Sequence, residues 1–157
     1  MKKIDIIFLF SLGLATGIFM LWIRPYTGYM DADYYFATAR EIFKVNGFIQ
    51  NFLWNYLDQP IGLPHPSFTY WMPLSSLFAA LGLWIAQVDT LQAARLPFVL
   101  IYSLVPITTA IVAFKMTSDR TTGWIAGLLG VFSGFYIRFS TEPDSFGITM
   151  ILGTMII

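Results

Sequence analysis

Apolar residues fall into runs separated by short polar punctuation, and the first run sets the frame. Residues 6–23 are apolar behind Lys2 and Lys3. A helix needs about 20 such residues to cross a bilayer. The run exceeds the 7–15 residues usual in a secretory leader, and Arg24-Pro25-Tyr26-Thr27 follows it instead of a small-residue cleavage site. This predicts a spanning helix over about residues 4–23, its lysine-bearing start in the cytoplasm. Residues 34–45 change period. Tyr35, Ala39 and Ile42, with Phe36 and Phe43, recur at helical spacing, while Thr38, Arg40, Glu41 and Lys44 take the other side. An amphipathic helix follows, stopped by Asn46-Gly47.

Residues 48–66 are aromatic and broken by Gly and Pro, too polar to span and too aromatic for a disordered linker. They read as an ordered interfacial loop. Residues 68–85 are apolar again, and hydropathy alone makes them a second span, although Pro73, Ser75 and Ser76 weaken it. A helix over 96–114 is expected next, opened by Pro97 as a first-turn residue. A polar turn with Lys115, Asp119 and Arg120 separates it from helices over about 121–138 and 145–157. The final run has no polar flank, so the chain reads as the N-terminal part of a longer protein. The fold class expected is all-α: a polytopic membrane domain with spans near 4–23, 96–114, 121–138 and 145–157 and an extracytoplasmic loop over 24–95.

Topology turns on residues 68–85. If they cross, Glu142 and Asp144 face the cytoplasm, opposite Asp31; if they lie in the interface, both acidic clusters are outside. The nine Lys and Arg divide four inside and five outside either way, so charge bias does not decide. The compact polar turn at 115–122, placed in the cytoplasm, favours the interfacial arrangement.

Composition agrees with a membrane protein. The chain is 57% hydrophobic and 11% charged, against about 25% charged in soluble domains. Its formal net charge of zero offers nothing to nucleic acid or another polyanion. The absence of cysteine excludes disulfides and thiolate metal sites.

Chemistry concentrates at two acidic clusters. Asp31 and Asp33 follow the first run, and Glu142-Pro143-Asp144 precedes the last. Each has a plain explanation: Asp caps helices, Pro143 suits a first turn, and acids complement the helix dipole. Their functional reading makes one aspartate a general base and the other a ligand for a cation or an orienter of a hydroxyl. On one side of the membrane, the two clusters would enclose a cation or a phosphate-bearing ligand. His65, the single histidine, sits between Pro64 and Pro66; it is a structural loop residue or a phosphate contact. Arg138 snorkels to headgroups or pairs with a lipid-linked phosphate.

In order, these residues resemble the start of the GT-C superfamily of integral membrane glycosyltransferases, nearest the branch of family 39 that holds protein O-mannosyltransferases and aminoarabinose transferases. The stretch Asp31-Ala32-Asp33-Tyr34-Tyr35-Phe36-Ala37-Thr38-Ala39-Arg40-Glu41 is similar to that branch's acidic motif, with Ala32 where a second acid often stands. His65-Pro66-Ser67-Phe68-Thr69-Tyr70-Trp71 compares with its Pro-Pro-x-x-Tyr-Trp segment, His65 replacing a lysine. Ala94-Arg95-Leu96-Pro97 and Pro143-Asp144 also match. The Trp71-Met72-Pro73-Leu74 stretch is more distantly similar to the oligosaccharyltransferase catalytic subunit, which uses a divalent cation. The resemblance implies an inverting enzyme in a prokaryotic plasma membrane, using a polyprenyl-phosphate-linked sugar donor and an extracytoplasmic protein, lipid or glycan acceptor. It implies Asp31 and Asp33 as catalytic residues, and His65 and Arg138 as donor contacts. A divalent metal, Mg or Mn, would be held by Asp33, Glu142 and Asp144.

Overall fold

A computed structural model of the protein describes residues 1–54, 60–134 and 136–156. Part of the 48–66 loop, and single residues of the runs near 135 and 157, therefore lie outside the described residues. Helices dominate: α1 (Lys3–Ile23), α2 (Met30–Phe43), α3 (Leu74–Ala86), α4 (Leu91–Thr117), α5 (Arg120–Val131) and α6 (Phe146–Thr154). Two-residue strands β1 (Ile49–Gln50) and β2 (His65–Pro66) form one antiparallel ribbon, Ile49 opposite Pro66 and Gln50 opposite His65. The fold is all-α with this ribbon added.

Helices α1 and α4, of 21 and 27 residues, are long and apolar enough to cross a membrane. At 1.5 Å per residue α3 reaches only about 20 Å, short of the ~30 Å hydrocarbon layer. The helical parts of the runs expected at 121–138 and 145–157 are shorter too. Helix α5 has 12 residues and ends where Ser133-Gly134 interrupts the run, and α6 has nine.

Helix α4 is the axis; α1, α3, α5 and α6 all pack on it. It starts at Leu91, five residues before the expected position, because the Thr90 hydroxyl accepts from the Ala93 amide at 3.3 Å and caps it. Pro97 consequently lies inside the helix and not in its first turn. Having no N–H, Pro97 leaves the Ala93 carbonyl without its helical donor. Gly82 of α3 seats at that spot: a Cβ there would stand 2.2 Å from the Ala93 oxygen and 2.8 Å from Pro97 Cδ. Helix α1 approaches α4 through Gly13 and Gly17, whose added Cβ atoms would lie 3.1 Å from Ser103 Cα and from Val99 Cγ1. This is the small-xxx-small spacing that lets helices in lipid come close.

Helix α2 lies against α3, burying Ala39 and Ile42 in one cluster with Ala79, Ala80 and Leu83. Arg40 Nε donates to Asp89 Oδ1 at 2.7 Å, with Lys44 3.2 Å from the other oxygen, tying α2 to the α3–α4 turn. The face of α3 turned away from α2 and α4 exposes Leu74, Leu77, Leu81, Trp84 and Ile85.

Candidate active site

The segment between α1 and α2 turns the chain back on itself. It is organised by Arg95, which lies one residue before the helix start expected from the sequence and is a fully buried residue of α4. Arg95 Nη2 donates to Glu142 Oε1 and Oε2 at 2.6 and 2.5 Å, and Nε donates to Oε2 at 3.0 Å. Nη1 donates to the Arg24 carbonyl (2.5 Å), and Nη2 also reaches the Tyr26 carbonyl (2.8 Å). One guanidinium thus joins α4, the loop before α6 and the exit of α1. Such a planar fork, with every partner an oxygen, is what makes a buried arginine tolerable.

Both acidic clusters converge here. The Tyr29 hydroxyl, at the N-cap of α2, donates to Asp144 Oδ2. The Thr27 hydroxyl donates to Asp33 Oδ1 at 2.6 Å. Asp144 Oδ1 accepts from the Ser145 amide at 2.5 Å. Burial raises the Asp31 carboxyl above the ordinary aspartate range, and the charge of Asp144 adds to it. Burial likewise pushes Glu142 up, with Arg95 and Arg24 pulling against it and the Asp33 charge adding to it. The Tyr35 phenol is pushed up to about 12 by burial and by the Asp144 and Asp31 charges. Asp31, Asp33, Glu142 and Asp144 therefore feel one another's fields, although 111 residues separate Asp31 from Glu142 in sequence.

Helix capping does not account for them. The N-cap of α2 is Tyr29 and no side chain caps it, so Asp31 and Asp33 lie within the first turn. Helix α6 starts at Phe146, beyond Pro143, which is therefore no first-turn proline.

Beside the acids lies a cavity of about 530 Å³, lined by Arg24, Gly28 and Tyr29 on one side and Ile137, Arg138 and Phe139 on the other. Arg24 donates through Nη1 to the Arg138 carbonyl and stands 3.5 Å from Glu142 Oε1. Gly28 is needed for its φ of +81°; a Cβ there would also press on Arg24 Nη2, at 2.9 Å. Phe139 also borders an apolar groove of about 620 Å³ against Tyr136, Phe146, Thr149 and Met150.

Of the expected site residues, Asp31, Asp33, Glu142 and Asp144 come together, and Arg138 lines the adjoining cavity. His65 is not among that cavity's lining residues; it stands on β2 opposite Gln50. The expected metal set fares differently. Both Glu142 oxygens are held by a guanidinium, and among the described residues no three His, Asp or Glu are placed as a metal-holding group. In this arrangement Glu142 is engaged by Arg95 and not turned to an ion. Sequence reasoning noted Arg95 only as part of a motif and passed over Arg24 and Tyr29; the signal for Arg24 was an arginine at the mouth of the first run.

The chain matches no family model, no curated protein and no solved structure.

Proposed function

We propose that the protein is a membrane glycosyltransferase moving a sugar from a polyprenyl-phosphate donor to an extracytoplasmic acceptor. In this reading α1 and α4 cross the bilayer with Lys2 and Lys3 in the cytoplasm. Residues 24–95 lie outside, and α3 rests in the interface with its Leu and Trp face on lipid. The observation that carries the reading is the meeting of two acidic clusters beside a cavity holding Arg24 and Arg138.

The acceptor hydroxyl oxygen attacks the anomeric carbon as the bond from that carbon to the phosphate oxygen breaks. The hydroxyl proton passes to the Asp31 carboxylate, whose raised proton affinity suits a general base. Asp33, held by Thr27, orients the hydroxyl. Negative charge grows on the departing polyprenyl phosphate, where Arg24 and Arg138 stabilise it. The apolar groove at Phe139 suits the isoprenoid next to that phosphate. No step runs through a metal.

Transfer of labelled sugar from a polyprenyl phosphate by the full-length protein tests this. Asp31→Asn should abolish transfer while leaving the unfolding temperature unchanged; near-normal turnover by that variant would sink the assignment. A non-catalytic scaffold or ion-coupled transporter is the competing reading. The buried Arg95–Glu142 pair favours it, since both side chains are turned to the protein's own groups.

A further inference from the structure

Among the described residues, four buried side-chain atoms around the β1–β2 ribbon have no hydrogen-bond partner: Tyr34 Oη, Gln50 Oε1, His65 Nε2 and Ser67 Oγ. Buried polar atoms are nearly always paired, so four orphans in one place require a reason. They share one place because of register. Gln50 pairs with His65, and the Ser67 amide donates to the Phe48 carbonyl at 2.9 Å, which extends the same pairing. Side chains alternate along a strand, so Gln50, His65 and Ser67 project from one face of the ribbon. That face meets α2: fully buried Gln50 donates through Nε2 to Thr38 at 3.2 Å, and Tyr34, also fully buried, stands one helical turn before Thr38.

The chemistry of the vacant positions is specific. His65 Nδ1 lies 3.0 Å from the Pro66 carbonyl, which can only accept, so Nδ1 carries the hydrogen. In the neutral ring Nε2 is then a bare acceptor, as is Gln50 Oε1. Two acceptors call for donors, and the Tyr34 and Ser67 hydroxyls give or take. A phosphate brings only acceptors and a charge, and a buried anion facing two acceptors is costly. A sugar brings hydroxyls. It also brings apolar C–H faces, and Tyr34 already stands edge-on to Phe52 and Trp54, with centroids 5.7 and 4.9 Å away. The ribbon has two residues in each strand, a marginal pairing on its own.

We propose that the face between the ribbon and α2 binds a neutral, hydroxyl-bearing sugar unit, with Tyr34, Gln50, His65 and Ser67 as its hydrogen-bonding residues. This rests on the transferase reading in one respect: the site begins one residue after Asp33, which makes its guest a sugar unit of the acceptor. His65 thereby serves acceptor recognition and not the donor phosphate.

The test is nuclear magnetic resonance of full-length protein in nanodiscs with labelled histidine, the His65 signal being identified by its loss in His65→Asn. Methyl α-mannoside, methyl β-glucoside and inorganic phosphate are titrated separately. A saturable Nε2 shift with a glycoside and none with phosphate is expected. Tyr34→Phe, which keeps the ring and deletes the hydroxyl, should weaken glycoside binding about three- to tenfold, the scale of one hydrogen bond. A shift with phosphate alone overturns the proposal, and so does no shift with any probe, which leaves bound water as the guest. A transfer assay on the wild-type protein, run beside the titration, separates the two readings. Glycoside binding without transfer in the wild-type protein removes the transferase reading only, whereas transfer by a wild type that binds no glycoside here removes this site only.

Discussion

The two ends of the helix bundle are each closed by an arginine and a fully buried carboxylate, and they differ in what else the arginine does. At one end Arg120 donates to Asp5 at 2.6 and 2.9 Å, joining α5 to α1, with its side chain 46% exposed. At the other, Arg95 holds Glu142 and two backbone carbonyls with its side chain wholly out of solvent. The first is a clasp between two helices, and water still solvates its cation. The second is a hub: remove either partner and a charge is left in the interior while the 24–26 segment loses its anchor. The lesson is that similar pair distances carry unlike roles, and solvent access to the cation separates them.

The comparison breaks most visibly at Arg95. Arg95→Met should cost about 3–5 kcal/mol, because Glu142 is then buried without a partner. The double variant Arg95→Met with Glu142→Leu should regain most of that. Thermal unfolding of the purified protein measures both, and a single variant no worse than one at Arg120 would erase the distinction. A smaller effect belongs to the acids around the hub. A base works only when ionised, so transfer should fall as pH drops through the raised Asp31 value. Asp144→Asn removes a charge that holds this value up, so the acid limb of the pH–rate profile should move to lower pH. An unmoved limb would mean that Asp31 is not the base. Smallest of all, Arg120→Ala should lower the unfolding temperature less than Arg95→Met does, because removing a half-exposed side chain opens Asp5 to water, and less so at high salt. A large drop there would make both ends hubs.

Legibility in the sequence followed distance along the chain. Helix α1 and the amphipathic α2 were readable from local period; the expected 34–45 became Met30–Phe43 because Tyr29, not an aspartate, starts the helix. The acidic clusters were visible, but their meeting depended on residues 68–85, which end as a 13-residue helix too short to cross. Arg95 was opaque as a hub because its partners sit 47, 69 and 71 residues away. Pro97 misled for the opposite reason. A proline signals a first turn locally, and only Gly82, on another helix, makes its interior position tolerable. His65 stood out as a lone histidine, but which of its nitrogens is free depends on the fold of the ribbon.

The Asp5–Arg120 clasp also has a consequence in time. Asp5 is synthesised 115 residues before its partner, and at about 5–20 residues per second that is a wait of roughly 6–23 s. Through that interval the Lys2 amide, which donates to Asp5 at 2.8 Å, and solvent must satisfy the carboxylate. The emergence of Arg120 is then the moment at which α1 and α5 can be clasped together.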